Sequence, residues 1–151
     1  MQPSPSTQRD QSAGYLISRL HWSFTRYLVQ EFRDEGLNRA QVAVLADAFI
    51  LAEAPQDALS AMQGTDNAAT TRALQALEEK GLVFRKEDPA NKRRKLVSVT
   101  EKARAIEPAF FSKLGSLSES LFHGFTPEER SQLIVFLHKM MFNIQAALDK
   151  E

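Results

Sequence analysis

DNAATTRALQALEEKGLVFRKEDPANKRRKLVSVTEKARAI, residues 66–106, changes its hydrophobic period twice, and the two changes decide the fold. From a cap at Thr65 or Asp66 to Lys80 the apolar positions recur at helical spacing: Ala69 or Thr70, Ala73 or Leu74, then Leu77. Gly81 stops that helix, with Lys80 near the negative end of its dipole. The period then falls to two. Leu82-Val83-Phe84-Arg85 reads as a strand, Asp88-Pro89-Ala90-Asn91 supplies turn chemistry, and Leu96-Val97-Ser98-Val99 reads as the returning strand, with Val97 and Val99 on one face. A two-stranded hairpin is too small to be stable alone, so it must pack on helices.

Working outward, helices flank this unit on both sides. Leu16, Leu20, Phe24, Leu28 and Phe32 repeat every four residues, which predicts a first helix from about Gln11 to Asp34, ended by Gly36. Asn38 and Gln41 form a capping box for a second helix, whose Val42, Leu45 and Phe49 share a face. Ala52-Glu53-Ala54-Pro55 breaks it, and Pro55 suits the first turn of a short third helix through Met62, with Leu59 and Met62 inward and Gly64 as a tight turn. Downstream, Thr100 caps a helix toward Phe122 that Pro108 should kink or offset. Thr126-Pro127-Glu128-Glu129 is a capping box with proline at the first helical position. It opens a last helix whose Leu133, Leu137, Met140 and Ile144 make a heptad-like seam. The expected fold class is mainly α with a small β-hairpin wing.

Composition narrows the function. The chain of 151 residues fits one domain, and 43% apolar and 25% charged residues are ordinary for a soluble globular protein. The absence of cysteine excludes disulfides and thiolate metal sites and fits a reducing cytoplasm. No apolar run approaches a membrane span, and the polar stretch 1–11, with Pro3 and Pro5, reads as a disordered arm and not a signal peptide. His21, His123 and His138 lack metal-ligand spacing, and no phosphate loop or nucleophile elbow occurs, so neither an enzyme nor a cofactor is expected. Net charge is zero, with 19 basic and 19 acidic side chains, but it is unevenly spread. Residues 85–95 hold six cations against two carboxylates, a net of +4, so the other 140 residues carry −4.

A short helix, a tight turn and a helix with a polar first turn make a helix-turn-helix, whose second helix fits a major groove. Asn67, Thr70, Thr71, Arg72 and Gln75 supply hydrogen-bonding groups there. Arg72 has the fork for guanine, Asn67 or Gln75 suits adenine, and Ala68 is small enough for close approach or a thymine methyl. The hairpin tip carries Lys92, Arg93, Arg94 and Lys95, four cations that repel one another and gain nothing internally, but match an adjacent minor groove. The competing reading of each feature is a solvated polar face.

Gly36 to Ala105 resembles the MarR family (multiple-antibiotic-resistance regulators), on GLNRAQVAVL at 36–45 and on the stretch quoted above. The matching positions are Asp66, Thr71-Arg72, Leu77-Glu78, Gly81-Leu82, Asp88-Pro89, Arg93 and Val99-Thr100-Glu101-Lys102. The chain departs from the family pattern at the tip, where Asn91 and Lys92 stand for an acid and an arginine. It departs also at Ala68-Ala69, in the short third helix and at Ala103.

The resemblance implies a double-stranded DNA-binding transcriptional regulator, expected to be a repressor relieved by a small molecule. Its winged helix-turn-helix would span 36–100, and residues 12–35 with 101–151 would form a homodimer on a near-palindromic operator. Phe110, Phe111, Leu114, Leu117, Leu121, Phe122 and Phe125 add apolar surface in keeping with a dimer, against an intramolecular core as the alternative. Relatives of this kind hold small aromatic or anionic molecules. The candidates here are His21, Trp22 and Arg26, against a reading in which Trp22 is dimer core and Arg26 a surface charge. The alternative function is a winged-helix protein-interaction module without DNA binding, motivated by zero net charge and Ala68-Ala69.

Overall fold

A computed structural model describes Arg9, residues 11–63 and residues 67–149. Its helices are α1 (Ala13–Glu31), α2 (Arg39–Leu51), α3 (Gln56–Gln63), α4 (Asn67–Glu79), α5 (Glu101–Leu121) and α6 (Pro127–Leu148). Its strands are β1 (Glu53–Pro55), β2 (Val83–Asp88) and β3 (Asn91–Val99). The fold is mainly α with a small antiparallel sheet, as the periodicity predicts. The turn at Gly64, the cap at Thr65 or Asp66 and most of the 1–11 arm lie outside the described residues. Two compact units divide the chain, residues 1–113 and residues 114–151, and α1 falls in the first, with the helix-turn-helix and the sheet.

The helix ends follow their sequence signals. Asn38 Oδ1 accepts from Gln41 N and Gln41 Oε1 from Asn38 N, both at 3.0 Å, closing the box at the start of α2. Thr126 and Glu129 do the same for α6. At the end of α4 the chain turns left-handed at Gly81, φ 69°, where Leu82 N donates to Leu77 O and Gly81 N to Glu78 O, each at 2.9 Å. The flanking Leu77 and Leu82 are both buried. Thr100 then ties the start of α5 to this turn: its hydroxyl donates to Gly81 O at 2.7 Å and accepts from Ala103 N at 3.1 Å. Helix α5 runs on through Pro108, where the Arg104 carbonyl has no N–H four residues on to accept from.

The sheet corrects one expectation. Pro55 is not in a helical first turn but ends an edge strand, in the order β1-β3-β2, with Glu53 opposite Ser98, Ala54 opposite Val97 and Pro55 opposite Leu96. A proline at the edge of a sheet removes no ladder donor that has a partner. Three residues are too few for a period of two to register, and the partner strand lies some forty residues away. Side chains lace the sheet crosswise. Glu53 Oε2 accepts from Ser98 Oγ at 2.8 Å and pairs with Lys86 Nζ at 2.6 Å, and these bonds hold its carboxyl below the usual range.

The core of the first unit joins helices to sheet. Val42, Leu45, Leu59, Leu74, Leu77, Val83 and Val97 are buried, together with Phe32. Phe110 is buried, its ring centroid 5.0 Å from that of Phe32 in a tilted contact and 5.3 Å from that of Phe49 edge to face, which places it in this core and not on a dimer face. Met62, expected inward, is exposed, and so are Leu16 and Leu20 of the first apolar stripe. In the second unit α6 has no buried residue, although Ile134, Val135, Phe136, Met141, Phe142 and Ile144 lie along it. Its apolar positions therefore surround the helix and exceed a single heptad seam.

The root of the wing is clamped to α4. Arg85 donates to Glu78 through its backbone N at 3.1 Å, Nε at 3.1 Å and Nη2 at 2.6 Å. The Arg85 side-chain bond, chiefly, holds the Glu78 carboxyl below the usual range. A depressed carboxyl contributes stability above its unfolded pKa, about 4.3, that disappears as pH falls through the lower folded value. Glu78→Gln is therefore expected to cost about 1 kcal/mol at neutral pH and to flatten the acid limb of the stability–pH curve. Urea unfolding at pH 7 and below pH 4 checks this, and parallel wild-type and variant curves would contradict it. Ala52, between α2 and β1, sits at φ 60°, ψ −54°, a region side chains avoid. Ala52→Gly is expected to raise stability by about 1 kcal/mol, read as a higher urea midpoint at unchanged m-value.

Candidate nucleic-acid interface

Helix α4 divides into two faces. Thr70, Ala73, Leu74 and Leu77 point inward. Thr70 is only 2% exposed, which corrects its assignment to the surface set: the one-residue ambiguity between Ala69 and Thr70 on the apolar stripe resolves with Thr70 in the core. Thr71 is half-buried and committed within the protein. Its hydroxyl donates to Asn67 O at 2.7 Å and accepts from Gln56 Nε2 at 2.8 Å, so it braces α4 against α3. Asn67, Ala68, Arg72 and Gln75 are exposed. Gln75 Nε2 reaches Glu79 Oε1 at 3.4 Å. Among the described residues Arg72 has no hydrogen bond or ion pair, and it edges a shallow hollow of about 300 Å³ with Asn38, Gln41 and Ala69.

The wing is shaped by two short polar side chains. Asp88 Oδ1 accepts from Ala90 N at 2.8 Å and Asn91 Oδ1 from Arg93 N at 3.2 Å, each an Asx turn. The register shifts between Glu87 and Asp88, so the tip departs from a regular ladder. The four cations are not equivalent, which corrects the expectation that none gains internally. Arg94 Nε pairs with Asp57 Oδ1 at 3.2 Å, and Lys95 Nζ with Glu87 Oε1 at 3.6 Å. Lys92 and Arg93 are exposed and carry no ion pair among the described residues.

Helix and wing share a cleft of about 580 Å³, lined by Gln56, Asp57, Asn67, Asn91, Arg93, Arg94 and Lys95. Asn67 of α4 therefore faces the same open space as the cations of β3. Gln56 and Asp57 are the site residues that sequence reading missed. The available signal was an acid one residue into a short helix directly after Pro55.

The third set, His21, Trp22 and Arg26, lies on α1. Trp22 and Arg26, with Tyr27, Val29, Gln30 and Arg33, line an open groove of about 530 Å³. His21 meets Trp22 edge to face at 6.1 Å but is not on the groove. Trp22 is 66% exposed.

The family model for the MarR family matches residues 37–95, from the start of α2 to the middle of β3. The HTH-type transcriptional regulator YybA of Bacillus subtilis (strain 168) is 30% identical over 115 residues, 76% of this chain and 77% of the relative. A MarR transcriptional regulator from Methanosarcina mazei Go1 is 28% identical and superposes with a TM-score of 0.82, over 89% of this chain and 96% of that one. A mutant MarR from E. coli, in a crystal structure with operator DNA, is 29% identical with a TM-score of 0.77, over 84% of this chain and 91% of that one. None of these relatives supports an interaction module without DNA. A regulator relative aligned over three quarters of each chain, together with the family match, settles the relationship: the chain belongs to the MarR family of winged helix-turn-helix transcriptional regulators, which are regulators and not enzymes.

Proposed function

We propose that the protein is a homodimeric, cytoplasmic DNA-binding regulator that represses its target and releases it on binding a small molecule. Helix α4 enters the major groove, with Arg72 on a guanine edge and Asn67, Ala68 and Gln75 near neighbouring bases. Lys92 and Arg93 reach the adjacent minor groove, and Arg94 and Lys95 lie against the backbone. One observation carries this reading: the start of α4 and the cations of the wing open onto one cleft, while Arg72, Lys92 and Arg93 have no ion pair among the described residues. Cations that satisfy nothing internally are placed for an external anion. The operator-bound relative supports the partner.

Dimerisation is supported by the unburied apolar side chains of α6 and, separately, by exposed Leu16, Ile17, Leu20 and Trp22 on α1. Two protomers present two recognition helices to half-sites about 34 Å apart, which calls for a near-palindromic operator. Trp22 and Arg26, with His21 beside them, are the ligand candidates. The walls of their groove come from α1 and the turn after it, so a bound aromatic acid needs a further wall. No helix among the described residues is long and apolar enough to cross a membrane.

Arg72→Ala is expected to lower operator affinity by about 1–3 kcal/mol and to relax preference at one base pair while leaving random-sequence binding nearly intact. Titration of base-substituted duplexes checks this, and an equal loss on random DNA would remove Arg72 from base readout. Arg93→Ala is expected to weaken every duplex and to reduce the salt slope by about one for each protomer. An unchanged slope would take the wing out of the interface.

A further inference from the structure

We propose that the cleft between α3, the start of α4 and the wing seats a DNA backbone phosphate, and that Asp57 holds the anion's place in the free protein as a built-in competitor. The proposal rests on the DNA-binding reading above and adds a determinant of affinity on α3, outside the recognition helix and the wing.

The lining of the cleft carries three cations, Arg93, Arg94 and Lys95, and one carboxylate, Asp57. Its volume of about 580 Å³ admits a phosphate group easily. Asp57 Oδ1 accepts from the Arg94 guanidinium Nε at 3.2 Å and from Ala58 N at 3.1 Å. A carboxylate on a guanidinium is the geometry a phosphate oxygen adopts on the same group. The pair is open to water, with Arg94 41% and Asp57 64% exposed, and exposed pairs of this kind are weak. A phosphate can therefore displace the carboxylate without disturbing the fold. Arg94 also keeps its two Nη groups, which make no bond among the described residues, to meet that phosphate. While Asp57 stays ionised it lowers the positive potential of the cleft and holds Arg94 back from unspecific contacts. The device acts on the backbone term of binding, so it lowers affinity for all sequences alike.

The test is Asp57→Asn in the full-length protein, titrated by anisotropy into an operator duplex and a scrambled duplex across a salt series. Asparagine keeps the acceptor for Ala58 N and the side-chain shape and removes the charge. Affinity is expected to rise by about three- to ten-fold near 0.1 M salt, by the same factor on both duplexes. The salt slope is expected to steepen by about one for each protomer. In an Arg94→Ala background the gain should largely vanish, since the guanidinium that Asp57 occupies is gone and Arg93 and Lys95 make no pair with Asp57. Asp57→Ser, which also removes the charge, should behave like Asp57→Asn, and thermal unfolding of each variant confirms an intact fold. Unchanged or weaker binding by folded Asp57→Asn, or an undiminished gain without Arg94, would overturn the competitor while leaving the DNA-binding reading in place. A wild-type protein that binds neither duplex at low salt would overturn both.

Discussion

At the end of α4 a left-handed glycine and one hydroxyl bind three elements at a point. Gly81 turns the chain so that Leu82 N meets Leu77 O, while Thr100 donates to Gly81 O and caps α5 through Ala103 N. The helix that carries Arg72, the strand that leaves for the wing and the helix that follows it all take their direction here. A residue with a Cβ at Gly81 would be strained by its positive φ, whatever space surrounds it. The Glu78–Arg85 clamp lies one turn away and fixes β2 to the same helix. Arg72 and the wing cations are thus aimed by one rigid corner, which suits a reader of two neighbouring grooves.

Zero net charge does not weaken a DNA-binding account once each cation is followed to its partner. Arg85, Lys86, Arg94 and Lys95 are neutralised by Glu78, Glu53, Asp57 and Glu87, and those pairs brace the hairpin and its neighbours. Lys92, Arg93 and Arg72 are not paired in this way among the described residues. The sum over the chain hides a division between cations that build the fold and cations that face outward. Apolar surface divides similarly. Phe32, Phe49 and Phe110 close the first unit, whereas α6 leaves its apolar side chains uncovered.

Helix ends, the hairpin and the capping boxes were legible in the sequence because their signals are local: a cap and its partner lie three residues apart, and a change of period needs only a dozen residues. Strand β1 was not legible, since its identity depends on a pairing with Leu96, Val97 and Ser98 that no local pattern encodes. Thr70 was misplaced for a related reason. A stripe read at 3.6 residues per turn is uncertain by one position at its edge, and packing decided between Ala69 and Thr70. Asp57 went unseen because a single acid in a short helix has no meaning until β3 brings Arg94 beside it. Phe110 looked like dimer surface because composition counts apolar side chains without saying which neighbour covers them.

The most direct measurement is anisotropy of the wild-type protein on a duplex from upstream of its own gene and on a scrambled duplex of the same composition, each from low to moderate salt. The account predicts preference for the upstream duplex and, on both, an affinity that falls linearly in log–log form as salt rises. Binding that ignores both sequence and salt would contradict it.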